Sequence, residues 1–79
     1  MRPVQQALPT MLWDEDGDQR TAHIGGLLLF VERIPGTVPW GWSVFRRGVG
    51  WTLVQGAEAT PEAAMRSAEE CARAELRGG

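Results

Sequence analysis

Hydrophobic and polar positions divide the chain into several short strands followed by one helix. The stretch from Leu27 to Ile34 predicts a strand, and its run Leu27–Val31 is apolar without alternation. Such a run is typical of a central strand that is buried on both faces. Three further strands are predicted at Gln19–Ile24, Gly41–Arg46 and Trp51–Gly56. The last two predict a hairpin around the turn at residues 47–50, with Trp42 and Val44 on one face and Ser43 and Phe45 on the other.

The N-terminal region gives weaker signals. Pro3 and Pro9 interrupt residues 1–9, which read as a loose arm without periodicity. Residues Thr10–Trp13 form a short apolar stretch and predict a first strand. The segment Asp14–Asp18 then predicts a turn, because Asp-Gly at 16–17 is a strong hairpin signal. The pair Gly25-Gly26 predicts a bend or a bulge before the central strand.

The C-terminal segment Pro61–Leu76 predicts an amphipathic helix. Thr60 suits the N-cap, Pro61 the first helical position, and Glu62 the positive end of the helix. A stripe at helical spacing predicts the buried side, and it comprises Ala64, Met65, Ala68, Cys71, Ala72 and Leu76. The polar side is predicted to hold Glu62, Arg66, Glu69, Glu70, Arg73 and Arg77. Alanine dominates the stripe, so we expect the helix to lie close to the sheet.

Together these elements predict an α+β fold, a small antiparallel sheet of three to five strands packed on one C-terminal helix. The 79 residues make a single domain. Its parts are the arm at 1–9, the sheet at 10–57 and the helix at 60–77. One helix covers one face of a sheet only, so the two-sided central strand needs a second cover. The arm, a second copy of the chain or a foreign partner could each provide it.

Composition narrows the classes of function. The net charge is −2, which does not favour direct nucleic-acid binding. His23 and Cys71 are the only histidine and cysteine, so the sequence predicts no disulfide, no zinc site and no cofactor. No catalytic motif is present, and we expect a binding protein rather than an enzyme. The sequence has no apolar stretch long enough for a membrane span or a signal peptide, which predicts a cytoplasmic location.

Two features are candidates for binding a protein partner. The acidic run Asp14, Glu15, Asp16 and Asp18 is either a solvated turn or a contact for a basic surface. Trp40 and Trp42 are either core residues or interface anchors. Since Pro39 and Gly41 flank Trp40 at a loop edge, Trp40 is expected to be partly exposed. An alternative set of contacts, to nucleic-acid phosphates, is Arg33, Arg46 and Arg47.

Part of the chain resembles a known family. The stretch from Gly41-Trp42-Ser43-Val44 to Gly56, followed by Ala59-Thr60-Pro61-Glu62-Ala63-Ala64, resembles the strand–strand–helix unit of the HicB antitoxin. A similar pattern occurs in AP2-like DNA-binding modules of phage integrases. Phe45-Arg46-Arg47-Gly48 stands where the HicB family has a Pro-Asp-x-Pro-Gly segment. This resemblance implies a nucleic-acid-binding or antitoxin-like module as the alternative function.

The whole chain also resembles, in type rather than in motif, the small anti-CRISPR proteins of phages and mobile elements. They are short, lack catalytic motifs, combine a sheet with a helix and often carry an acidic surface. The resemblance implies an inhibitor in the cytoplasm of a bacterial host that binds a CRISPR effector complex and blocks its target DNA binding or its activity. Under this hypothesis the acidic run and the two tryptophans contact the partner, and the protein is a monomer or a homodimer.

Overall fold

A computed structural model describes residues 12–36, 38–48 and 52–78 of the chain. The fold is α+β, as predicted: a five-stranded antiparallel sheet packs against one C-terminal helix. The elements are β1 (Asp14–Asp16), β2 (Gln19–Ile24), β3 (Leu27–Arg33), β4 (Trp40–Arg46), β5 (Thr52–Glu58) and α1 (Pro61–Gly78).

The sheet is a meander in which each strand pairs with the next along the chain, in the order β1-β2-β3-β4-β5. Gly25 and Gly26 form a two-residue loop between β2 and β3, with φ of 54° and 84°. Positive φ at both positions is the pattern of a type I′ hairpin loop, which glycine adopts without strain. The glycine pair therefore closes a tight hairpin.

The core lies between the sheet and the helix. On β3, Leu27, Leu29 and Val31 are fully buried, and Val44 on β4 is buried beside them. On the helix, the buried stripe consists of Ala64, Met65, Ala68 and Ala72. Alanine adds little thickness, so the helix lies close to the central strands, as predicted from its sequence.

The ends of the helix are fixed by local contacts. The Thr60 side-chain oxygen accepts a hydrogen bond from the Ala63 amide at 3.1 Å, which confirms the predicted N-cap. At the other end, Leu76 was predicted in the buried stripe but is 38% exposed, and it packs against the β2–β3 loop. A Cβ built on Gly25 would lie 2.8 Å from Leu76 Cδ2, so only glycine fits there without displacing the leucine.

Two sequence predictions about local structure are wrong. Leu12 and Trp13 are not in a strand, and the first strand instead begins at Asp14, inside the segment predicted as a turn. The turn is shorter than predicted because Gly17 and Asp18 alone connect β1 to β2. Residues 10 and 11, the arm at 1–9 and Trp51 lie outside the described residues.

The burial of Glu69 also differs from the prediction. Glu69 is only 2% exposed, although its place in the pattern predicted the polar side. The Trp13 indole nitrogen donates a hydrogen bond of 2.7 Å to one carboxylate oxygen, and Arg73 pairs with the other at 3.3 Å. These two contacts compensate the carboxylate for the water it loses on burial.

Candidate functional site

The register of the sheet separates its residues into two chemically different faces. One face packs on the helix and includes the three strand arginines Arg20, Arg33 and Arg46. The opposite face is called the open face here, because no helix or strand of the described part of the chain packs on it. Its members, taken from alternation and strand pairing, are Asp14, Asp16, Gln19, Thr21, His23, Leu28, Phe30, Glu32, Gly41, Ser43, Phe45, Thr52, Gln55 and Ala57.

The centre of the open face is apolar. Leu28 on β3 pairs with Phe45 on β4, and Phe30 follows two residues further along β3. All three side chains are only half-buried. Ile34, which is 40% exposed, lies over Gly41 at one end of the face. The face therefore presents a contiguous apolar surface of the kind that marks interaction sites.

One end of the open face is acidic. Asp16 pairs with Gln19, and Gln19 pairs with Glu32, so two carboxylates flank one amide across three neighbouring strands. Asp14 lies on the same face of β1, and Asp18 is exposed in the adjoining loop. Glu15 points to the other face and forms a 3.8 Å ion pair with Arg20. The structure thus places Asp14 and Asp16 on the open face with Asp18 in the adjoining loop, directs the fourth predicted residue, Glu15, to the other face and adds Glu32.

Both candidate tryptophan anchors are in the core. Trp40 and Trp42 lie on the helix-facing side and are 7% and 8% exposed, so the prediction that Trp40 is partly exposed is wrong. Helix α1 packs on β4 and takes up the surface that these indoles would have offered to a partner. Trp42 extends over Gly56 on β5, and its Nε1 is buried without a hydrogen-bond partner among the described residues.

The three arginines proposed as nucleic-acid contacts lie at separate places on the sheet. Arg33 is at the Glu32 end of the sheet, where its guanidinium carbon lies 5.5 Å from the Trp40 ring centroid. Arg46 is at the opposite end of the same face and donates a hydrogen bond of 3.1 Å to Glu75. Arg47 is exposed in the turn after β4. The geometry therefore does not assemble them into one binding surface.

His23 and Cys71 lie on different elements. His23 is exposed on β2, and Cys71 lies half-buried on the helix beside the core. Burial raises the pKa of the Cys71 thiol, and the neighbouring Glu70 carboxylate raises it further. Within the described ranges, no group of three or more histidine, cysteine or acidic residues could hold a metal ion. Nor does α1 have the length and apolarity of a membrane-spanning helix.

A groove of about 440 Å³ opens on the acidic end of the open face. Its floor consists of small residues on β4 and β5, namely Gly41, Ser43 and Ala57. Phe30, Ile34, Glu32 and Gln55 form its sides. Gly41 keeps the groove open, because a Cβ at that position would collide with the terminal carbon of Ile34.

The sequence contained a usable signal for this surface. The unbroken apolar run of β3 indicates that the face opposite the helix carries apolar side chains, and Phe45 belongs to that face by alternation. Alternation along β3 also assigns Glu32 to this face, but its place near Asp16 and the existence of the groove depend on the register between strands. Comparisons with protein-family models, with curated proteins and with solved structures find no match for this chain.

Proposed function

We propose that this protein is a non-enzymatic inhibitor that acts by binding another protein through the open face of its sheet. The observation that carries the proposal is that the described residues cover the sheet on one face only. Helix α1 buries one face, whereas the other presents Leu28, Phe30 and Phe45 half-buried between water and the strands. A domain this small gains stability from every apolar group it buries, so an uncovered apolar face favours a binding role.

The charge of the open face defines the partner's chemistry. Its strand residues include three carboxylates, on Asp14, Asp16 and Glu32, and no arginine. A complementary surface has an apolar centre and basic residues along one edge. A second copy of this chain offers another set of carboxylates on the same strands, so a foreign basic surface is the better match.

The finer proposal is that the partner is a bacterial CRISPR effector complex. Such a complex holds nucleic acid in basic channels, and an acidic surface with an apolar centre would compete for the same arginines and lysines. The net charge of the chain is only −2, so inhibition would come from local contact or steric blocking rather than from mimicry of a whole duplex.

The test measures binding to purified CRISPR effector complexes of several types, together with their cleavage of target DNA. The variant Phe45→Ser removes an apolar contact from the open face, and the double variant Asp14→Asn/Asp16→Asn removes two charges. We expect Phe45→Ser to weaken binding about tenfold or more. Asp14→Asn/Asp16→Asn should slow association with the complex and make the association rate less dependent on salt.

Matched controls lie away from the open face. Val54→Ser changes an apolar residue that is 36% exposed on the helix-facing side of β5, and Glu62→Gln removes an exposed charge from the first turn of the helix. Both should bind like the native chain, and circular dichroism shows whether each variant is folded. The proposal fails if no complex binds, or if folded open-face variants bind as tightly as the controls.

A further inference from the structure

The groove at the acidic end of the open face has the features of a site for one long side chain. Its volume, about 440 Å³, lies within the range of about 300–1,000 Å³ common for ligand pockets. The rest of the open face consists of side chains that project from a sheet. Here three small residues leave a depression between the larger ones. A protruding partner residue would therefore seat at this point.

The sides of the groove differ in polarity. Phe30 and Ile34 are apolar, whereas Glu32 supplies a carboxylate and Gln55 an amide. Glu32 and Gln55 are both exposed, and no hydrogen bond or ion pair engages either side chain within the described ranges. The groove thus combines apolar walls for a hydrocarbon stem with unused acceptors for a cationic head.

Three alternative occupants match this combination less well. An acidic side chain or a phosphate would meet the charge of Glu32, with Asp16 two strands away. A purely apolar side chain would remove water from the Glu32 carboxylate without replacing its hydrogen bonds, which is unfavourable. A lysine offers charge and a stem, but its ammonium is more strongly hydrated and cannot stack on an aromatic ring as a planar group.

Resting on the proposed function, we infer that the groove binds an arginine side chain of the partner protein. The aliphatic stem lies between Phe30 and Ile34, and the guanidinium donates hydrogen bonds to Glu32 and Gln55. A guanidinium is planar, so it can also stack on the Phe30 ring while it pairs with the carboxylate. The arginine is then the residue that sets the position of the partner on the open face.

The experiment uses the whole chain and three capped tripeptides as probes: Gly-Arg-Gly, Gly-Lys-Gly and Gly-citrulline-Gly. Citrulline has the shape of arginine without its charge. Backbone amide shifts in ¹H–¹⁵N spectra report where each peptide binds. We expect saturable shifts at Glu32, Gly41, Ser43 and Ala57 with the arginine peptide, weaker shifts with lysine and none with citrulline.

Two matched variants separate the groove from general attraction to an acidic protein. Glu32→Gln should weaken binding of the arginine peptide about fivefold. Glu70→Gln removes an exposed carboxylate from the helix and should leave binding unchanged. The inference is overturned if citrulline shifts the same amides as arginine. It is also overturned if Glu32→Gln binds like the native chain, or if the shifts centre on Asp14–Asp18 instead of the groove.

The same variants distinguish this inference from the proposed function. If Phe45→Ser abolishes partner binding while Glu32→Gln does not alter it, the open face is the interface but the arginine site is wrong. If the arginine peptide occupies the groove while no open-face variant affects any CRISPR complex, the site stands and the proposed function fails.

Discussion

The guanidinium carbon of Arg20 lies 5.5 Å from the centroid of the Trp40 ring, on the helix-facing side of the sheet. Arg33 approaches the same ring at the same distance, so one buried indole contacts two cations. Arg20 belongs to β2 and also pairs with Glu15 on β1. This chain of contacts joins the acidic hairpin to the core and holds Asp14 and Asp16 on the opposite face.

Replacing Arg20 with methionine tests this connection. Arg20→Met keeps most of the hydrocarbon stem but removes the charge above Trp40. We expect the free energy of unfolding to fall by up to about 1 kcal/mol, the usual contribution of a cation–π contact with limited exposure. Urea unfolding followed by circular dichroism measures the change. The control Arg47→Met alters an exposed arginine in a turn and should leave stability within error; equal losses in both variants would contradict the prediction.

The Trp13–Glu69 hydrogen bond provides a second test. Trp13→Phe removes the indole donor and leaves a fully buried carboxylate with one partner fewer. We expect a loss of about 1.5–3 kcal/mol in the free energy of unfolding, as for other hydrogen bonds to charged groups. A double-mutant cycle with Glu69→Met, which has a similar length but no oxygen to accept the bond, isolates the pairwise energy. The neighbouring Glu70 is exposed, so Glu70→Gln serves as the control. A coupling energy near zero between Trp13 and Glu69 would exclude a stabilising role for this hydrogen bond.

Two glycines in adjacent strands should respond differently to alanine. A Cβ at Gly56 would lie 2.6 Å from Cζ2 of Trp42, a rigid buried ring, so Gly56→Ala should cost about 1–3 kcal/mol of stability through overpacking. A Cβ at Gly41 would be in close contact only with the Ile34 side chain, at Cδ1 and at Cγ1, and this flexible side chain can rotate away. Gly41→Ala should therefore change stability little while it narrows the groove. Thermal unfolding of both variants measures the two changes in stability. A larger loss of stability for Gly41→Ala than for Gly56→Ala would contradict the prediction.

Because the pKa of the Cys71 thiol is raised in the folded protein, we expect the stability of the protein to depend on pH. The thiol pKa is raised in the folded state by burial and by Glu70, so the unfolded chain ionises first as the pH rises. The protonated thiol therefore contributes to the free energy of unfolding. This contribution is complete below the ordinary thiol pKa of about 8.5, and it is lost as the pH rises through the folded-state pKa. Stability should therefore decline in the alkaline range, and Cys71→Ala should remove that decline.

The composition of the chain makes this measurement clean. The sequence contains no tyrosine, and all eight basic residues are arginine, so Cys71 is the only side chain that ionises between pH 8 and 10. Urea unfolding at intervals across this pH range gives the slope of the free energy of unfolding against pH for the native chain and for Cys71→Ala. Identical slopes would show that the thiol does not titrate differently in the two states. In the folded protein, alkylation by iodoacetamide should also be slower than in urea at the same pH.

Much of the fold could be predicted from local signals. The bounds of β2 matched the prediction, β3 and β4 differed by one residue at one end, and the Thr60 cap and Pro61 located the start of the helix. The first strand could not be predicted in this way. Asp14, Glu15 and Asp16 have low strand propensity, and only pairing with β2 makes them a strand.

The site residues were predicted less well because exposure depends on tertiary packing. Trp40 stands beside a loop in the sequence, yet the helix and two arginines enclose it. Glu69 has a polar side chain, yet Trp13, far away in sequence, provides a partner that allows its burial. Asp14, Asp16 and Asp18 are close together in the sequence itself, whereas Glu32 comes near them only through the register of β2 and β3.

The meander order of the strands has a consequence for how the chain folds. Every strand pairs with its neighbour in sequence, so the sheet can grow one hairpin at a time from tight loops such as Gly25-Gly26. Contacts between sequence neighbours cost little loop-closure entropy and favour rapid folding for a sheet protein. Helix α1 forms last along the chain and completes the core over β3, β4 and β5. During synthesis every strand of the open face therefore leaves the ribosome before the helix does, and strand pairing can begin before the other face is covered.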